Sequence, residues 1–175
     1  MNRQQGASLW EFLLAFGVAS VMFATLLPSF LDYYRTSTRN MAAESVIQEV
    51  LKGMEYAMTD HWTRSQCRVA PNDKTLSALI NKGYVIKEKV EKSQWPIDIE
   101  YATSTGAPKV MRYLAVTLTL PNATQASSLL ADMKGDGEVF ELDVTGKQLT
   151  IKRPVRVIQK TWEHLYYNPQ TGCME

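Results

Sequence analysis

The sequence predicts an α+β protein, with a long, kinked N-terminal helix packed on a head that contains a mainly antiparallel β-sheet. Three observations predict this fold class. Residues 12–31 carry no charge, residues 46–58 place apolar side chains at helical spacing, and residues 97–162 alternate β-rich runs with turn signals. At 175 residues, the chain is long enough for one membrane span and one head of ordinary size.

The first apolar run is long enough to cross a membrane. Between Phe12 and Leu31 the only polar side chains are Ser20, Thr25 and Ser29. Twenty residues of helix span about 30 Å, which is the thickness of a bilayer's hydrocarbon core. Because the run is apolar on every face, it does not fit an amphipathic core helix. We therefore interpret it as a membrane span.

Two residues in this span are unusual for a plain anchor. Glu11 stands at its start, where an ionised carboxylate costs about 2.5–3.5 kcal/mol on insertion scales, so such a residue usually marks a function. The helix dipole offsets only about 0.3–1 kcal/mol of that cost. Pro28 lacks a backbone donor and clashes with the preceding turn, so we expect it to kink or locally melt the helix.

The run Gly6-Ala-Ser-Leu-Trp-Glu11, followed by the apolar segment, resembles the N-terminus of type IV pilins and pseudopilins. In that family a short basic leader ends in Gly, a prepilin peptidase cuts after it, and the new N-terminus is methylated. The fifth mature residue is then Glu. The resemblance implies cleavage between Gly6 and Ala7, N-methylation of Ala7 and an assembly role for Glu11. Gln5 and Ala7 depart from the usual Lys and Phe or Met, and the second departure favours a minor pilin.

The resemblance also implies how the chain is organised and what it does. It divides into a leader (1–6), a transmembrane and assembly helix (7–31), an amphipathic helix (32–64) and an exported α+β head (65–175). The implied function is that of a minor, or accessory, type IV pilin that is assembled into a bacterial surface filament or primes it. The implied partners are other pilin subunits, the prepilin peptidase, the inner-membrane assembly platform and membrane lipid. The N-terminus would be cytoplasmic, and the head would be periplasmic and later extracellular.

Three alternatives to a minor pilin stay open. The protein could be a pseudopilin of a type II secretion system, which also carries this N-terminus. It could be a competence pilin that binds DNA through Lys152, Arg153, Arg156 and Lys160, with aromatic residues nearby to stack on bases. Cations at a sheet edge also serve simply to discourage strand addition. Finally, it could be a signal-anchored binding module that keeps residues 1–6 intact and forms no filament.

Both cysteines, Cys67 and Cys173, fall in the part that the resemblance places outside the cytoplasm. In an oxidising compartment we expect one disulfide between them, and two free buried thiols are the alternative. The bridge would enclose more than 100 residues and tie the end of the long helix to the C-terminus. A chain-entropy model assigns roughly 4–5 kcal/mol to such a loop.

Residues 32–64 are expected to continue the long helix, because apolar residues recur every three or four positions there. In the head, Asn72 or Asp73 is a candidate cap for the next helix and Gly83 its stop, while residues 84–92 could form a strand or a loop. The remaining elements follow from propensity and turn residues. The predicted helices are 75–81 and 122–134, and the predicted strands are 97–103, 110–120, 139–144, 148–152 and 155–162.

No catalytic constellation stands out, and we expect neither an enzyme nor a cofactor. His61 and His164 lack metal-ligand spacing and are interpreted as surface or packing residues. Asp132, Asp136 and Glu138 distantly resemble a calcium loop, but their spacing is not that of an EF-hand, so a solvated turn is preferred. The net charge of +1 gives no reason to expect a general polyanion partner.

Overall fold

The computed structural model describes residues 5–72, 74–105, 110–133, 137–155 and 167–174, without the side chains of residues 5–8 and 167. Its elements are four helices and six strands within those ranges. The helices are α1 (Gln5–Ser65), α2 (Leu76–Asn81), α3 (Lys87–Glu91) and α4 (Ala123–Asp132). The strands are β1 (Ile97–Thr103), β2 (Met111–Thr119), β3 (Val139–Leu142), β4 (Gln148–Pro154), β5 (Tyr167–Asn168) and β6 (Cys173–Met174). The α+β class is confirmed.

The chain forms two compact units, Met1–Met41 and Ala42–Glu175. In the first unit, every described residue is part of α1. The helix continues through Pro28, so local melting, one of the two expected effects of this proline, is wrong. A proline loses one donor and adds one clash, which the turns on either side can absorb while they stay helical. The kink at Pro28 stays a prediction.

In the second unit, α1 supplies one side of the hydrophobic core. Ile47, Val50, Leu51 and Met54 are fully buried there, as their helical spacing predicts. They belong to one cluster with residues of the sheet and of α2 and α4. The amphipathic part of α1 is therefore a core helix of the head.

Four strands form one antiparallel sheet in the order β1-β2-β4-β3. Leu114, Val116 and Leu118 of β2 face the core together with Leu149 and Ile151 of β4, and all five are almost fully buried. Their alternation with more polar residues follows the two-residue period of a strand. The predicted strand at 97–103 is confirmed at both ends, and the one at 110–120 is one residue shorter at each end.

The segment between α2 and β1 differs most from expectation. Thr75, rather than Asn72, caps α2 by accepting a hydrogen bond from the Ala78 amide at 3.2 Å, and Asp73 lies outside the described residues. Gly83 ends α2 with a φ of 75°, as predicted. The expected strand or loop at 84–92 is instead the short helix α3. Lys89 on α3 pairs with Glu49 on α1 at 2.7 Å, a tertiary contact that local propensity does not encode.

The strands after α4 form the predicted hairpin. Asn122 caps α4, with its side chain accepting from the Gln125 amide at 2.9 Å. Strand β4 continues through Arg153 to Pro154, two residues beyond its predicted end at 152. Pro154 is the last residue of the strand, where a missing donor is tolerated. The predicted strand 155–162 cannot be followed, because residues 156–162 lie outside the described part of the chain.

A small C-terminal hairpin, β5 with β6, lies against the end of α1. Cys67 and Cys173 form a disulfide across a separation of 106 residues, so the expected pairing is confirmed. Two backbone bonds of 2.8 Å accompany it, from the Arg68 amide to the Gly172 carbonyl and from the Met174 amide to the Gln66 carbonyl. The chain leaves α1 at Gln66, whose φ of 57° turns it toward this hairpin.

Candidate functional site

The first candidate site is the apolar surface of α1 in the unit Met1–Met41. Every side chain from 9 to 36 is exposed, including Trp10 at 66%, Phe12 at 67% and Phe23 at 70%. An 18-residue window of this helix has a mean hydropathy of 1.9, and none of it is buried. The helix is thus long and apolar enough to cross a membrane once. A continuous apolar surface of this kind requires lipid or another chain to cover it.

Two polar side chains inside this segment, Ser20 and Thr25, are satisfied by their own helix. Ser20 donates to the Phe16 carbonyl at 2.8 Å, and Thr25 donates to the carbonyls of Val21 and Met22 at 3.0 Å. Such local bonds let a hydroxyl enter hydrocarbon without an unmet donor. The segment can therefore be surrounded by apolar groups along these turns.

Glu11 has no such partner. It lies between the exposed side chains of Trp10 and Phe12, and among the described residues no hydrogen bond or ion pair reaches its carboxylate. Helix α1 begins at Gln5, so Glu11 lies beyond the first turn, where the helix dipole contributes little. Among the described residues, this carboxylate is therefore unpaired on an otherwise apolar surface.

Gly6 and Ala7 are both part of α1 as described. Their side chains, and residues 1–4, are outside the described part of the structure. Cleavage between Gly6 and Ala7 stays a prediction.

One face of the span has a notch at Gly17. An added Cβ atom at Gly17 would meet nothing within 4 Å. The groove around it is lined by Trp10, Leu13, Leu14, Val18, Val21 and Met22. A small residue among large apolar ones lets a second helix approach closely, as in membrane helix pairs.

The second candidate site, the basic stretch of the head, is largely neutralised. Lys152 pairs with Glu141 at 2.6 Å, across the outer face of the sheet. Arg153 donates from Nε to Glu138 at 2.9 Å and from a terminal nitrogen to Glu55 at 3.1 Å, and it also bonds Gln48. Both cations thus face protein carboxylates instead of an open groove. Arg156 and Lys160 lie outside the described residues.

The Arg153 network is a structural site that the sequence analysis missed. Arg153 follows Leu149 and Ile151 on the core face of β4, so the alternation along the strand indicates an inward-pointing cation. Burial opposes its charge, but the hydrogen bonds that Arg153 donates to Glu138 and Glu55 outweigh this and raise the pKa of Arg153. The Glu138 side chain is only 5% exposed and that of Arg153 is 22% exposed, so the ion pair between β4 and the residue before β3 is largely shielded from water. Glu55, whose side chain is 42% exposed, extends the network to α1.

The histidine and acidic candidates are described only in part. His61 lies near the end of α1, where burial lowers its pKa, and its Nε2 is 3.3 Å from the Ser65 hydroxyl. His164 and Asp136 lie outside the described residues. The Glu138 carboxylate accepts a hydrogen bond from Arg153, and this structural role gives no support to a calcium site shared with Asp132. Within the described ranges no group of three His, Cys, Asp or Glu side chains could hold a metal ion.

Comparisons with known proteins complete the description of these sites. No family model, curated protein or solved structure matches this chain.

Proposed function

We propose that this protein is a type IV pilin-like subunit, of the minor or accessory kind, that is built into a bacterial filament through its N-terminal helix. The observation that carries the proposal is the unpaired carboxylate of Glu11 on the fully exposed apolar part of α1. Its position relative to Gly6 and Ala7 matches the cleavage and methylation pattern of the family.

Cleavage after Gly6 would create an N-terminal amine that can pair with the Glu11 carboxylate of a neighbouring subunit. The new amine at Ala7 would lie one helical turn before the carboxylate, and in a filament the amine of a neighbouring subunit would serve as its counter-ion. Pairing of two desolvated charges fixes the axial register of adjacent helices. The Gly17 notch supports close packing of these helices.

The head fits export by this route. The Cys67–Cys173 disulfide is typical of a protein that matures in an oxidising compartment. A cytoplasmic N-terminus with residues after the span in the periplasm accommodates both this disulfide and the apolar segment. We assign the role in adhesion, motility, uptake or priming to this head. Because Lys152 and Arg153 are both ion-paired with glutamates, they do not favour DNA as its partner.

The first test is the intact mass and N-terminal peptide of the protein recovered from its native membrane. We expect a chain that begins at Ala7 and carries one added methyl group. Gly6→Val should block processing, while the neighbouring change Gln5→Ala should leave it intact. A wild-type chain that retains residues 1–6 in cells with active prepilin peptidase contradicts the proposal and leaves an anchored binding module.

The second test separates assembly from processing. Glu11→Gln removes the charge but keeps the shape, so we expect a processed, membrane-inserted protein that enters filaments poorly. Ser20→Ala is the matched control, because its hydroxyl is satisfied within the helix. Equal incorporation of the Glu11→Gln protein would overturn the assembly role. Filaments that stay in the periplasm would instead indicate a pseudopilin of a secretion system.

A further inference from the structure

Strand β3 (Val139–Leu142) forms one edge of the four-stranded sheet. Its partner on one side is β4, and no described strand pairs with its other side. An exposed edge that is rich in apolar residues is a template for pairing with another chain. We call the outward side of this strand the β3 edge.

The direction of the backbone groups follows from the register. The Asp143 amide donates to the Gln148 carbonyl at 3.0 Å, so this opposing pair is a hydrogen-bonded one. Such pairs alternate along an antiparallel ladder, which makes Phe140 with Ile151 and Leu142 with Leu149 the non-bonded pairs. The N–H and C=O groups of Phe140 and Leu142 therefore point away from β4. The β3 edge offers two donors and two acceptors to an added strand.

Side chains along the β3 edge are apolar on both faces of the sheet. Phe140 and Leu142 lie on the core face, where Phe140 is partly buried and Leu142 is 38% exposed. Val139, on the other face, is 47% exposed. An added strand would cover part of this surface with its own apolar side chains. The edge thus combines free backbone groups with apolar surface.

The only charged side chain within β3 is Glu141, at its centre on the outer face. Its carboxylate is paired with Lys152 but stays 52% exposed, so it can accept from a second cation. In an added strand the residue opposite Glu141 would form a non-bonded pair, in which side chains approach most closely. A Lys or Arg at that position would match the edge in charge.

A second copy of the same strand matches poorly. In the register centred on residue 141, Glu141 would stand opposite its own copy, and a shift of two residues in one direction would set Glu141 opposite Asp143. Like charges directly opposite are destabilising. The shift in the other direction sets Glu141 opposite Val139, which offers no cation to its carboxylate. The charge pattern therefore favours a different chain.

We propose that the β3 edge binds an extended segment of another protein as an antiparallel strand. The segment carries a Lys or Arg opposite Glu141, and an apolar residue on each side of that cation contacts Phe140 or Leu142. This inference goes beyond the proposed function, because it concerns the unit Ala42–Glu175 and holds whether or not the N-terminal helix forms a filament.

The test uses the full-length chain in detergent micelles and a blocked peptide, acetyl-Thr-Val-Lys-Val-Thr-amide, which has the required pattern. Hydrogen exchange followed by mass spectrometry reports on residues 139–144. We expect the peptide to slow exchange of the Phe140 and Leu142 amides at least about fivefold when it is near saturating. The peptide with Glu in place of Lys should protect less. Absence of added protection at saturating peptide would overturn the proposal.

Two variants make the test specific. Leu142→Pro removes an outward donor without removing a ladder bond to β4, so protection should be lost, whereas Leu142→Ala keeps the donor and should retain most of it. Glu141→Lys should reverse the preference, so that the Glu peptide binds better than the Lys peptide. An unchanged preference contradicts the role of Glu141. Concentration-dependent protection of the chain without peptide would replace the proposed partner with a second copy.

Discussion

Gly53 on α1 is the position where the structure makes the sharpest quantitative prediction. A Cβ atom added to Gly53 would lie 2.2 Å from Cγ2 of Val85 and 2.8 Å from the carbonyl oxygen of Tyr84. Both distances are shorter than a real Cβ atom tolerates. By helix propensity alone this glycine would be a weak point of α1, but the α2–α3 connection passes directly over it.

Gly53→Ala has two opposing effects on the free energy of unfolding. Helix propensity favours Ala by about 1 kcal/mol. Overpacking against buried Val85 costs about 1–3 kcal/mol, and the Tyr84 carbonyl cannot retreat easily. The Tyr84 amide donates to the Leu79 carbonyl at 3.0 Å, and its hydroxyl donates to Asp60 at 2.8 Å. We expect a net loss of about 0–2 kcal/mol, instead of the gain that helix propensity alone would give.

The measurement is guanidinium unfolding of the full-length chain in detergent, followed by tryptophan fluorescence. Trp62 and Trp95 are both buried in the head and report on its core. Ser45→Ala on the exposed side of α1 is the matched control, because it raises helix propensity without a contact and should be neutral or slightly stabilising.

A double-mutant cycle with Val85→Ala isolates the clash. Val85→Ala alone should destabilise, because it leaves a cavity, but it should cost less in the Gly53→Ala background, where it removes the overlap. If Gly53→Ala instead raises the stability by about 1 kcal/mol, helix propensity acts alone and the close approach of Tyr84 and Val85 is refuted.

Three further predictions concern the head. Arg153→Ala should lower the free energy of unfolding by about 3–5 kcal/mol in denaturant titration, because it leaves a buried carboxylate without its ion-pair partner. As a control, Lys152→Ala breaks a more exposed ion pair and should lower the free energy of unfolding by at most about 1 kcal/mol. The Asp143 carboxylate accepts from the Thr145 hydroxyl and two backbone amides, which lower its pKa from 3.8 to about 2. NMR titration should give this value, and the stabilisation should be complete above pH 4 and fade as the pH falls toward 2. Replacing both cysteines by serine should cost roughly 4–5 kcal/mol in the same denaturant titration, and a loss below 1 kcal/mol would contradict a structural disulfide.

Much of this fold can be predicted from local sequence patterns. The apolar run of α1, the alternation of Ile97–Thr103 and the turn around Gly146 specify their elements through nearest neighbours, so the sequence predicts them well. Residues 87–91 are different, because their helix depends on the contact of Lys89 with Glu49 and of Val85 with Gly53. Contacts between residues this far apart in the sequence cannot be predicted from local patterns.

The candidate sites also differ in whether the sequence alone predicts them. Glu11 could be identified from the sequence because its environment, an apolar helix, is made by adjacent residues. The Arg153 network could not, since Gln48 is 105 residues away and Glu55 is 98 residues away in the chain. The inward position of Arg153 was readable from the strand period, but its partners on α1 were not.

The Cys67–Cys173 bond also has a mechanical consequence. It closes 106 residues into a covalent loop that begins two residues after the end of α1. Tension applied between the C-terminal hairpin and α1 would pass through the disulfide and bypass the sheet. At about 3.3–3.6 Å per residue, roughly 350–380 Å of chain is withheld from extension until that bond breaks. Under load in the oxidised state, the head could extend only through residues outside this loop, chiefly the core part of α1, while strands β1 to β4 lie inside the loop and off the covalent path.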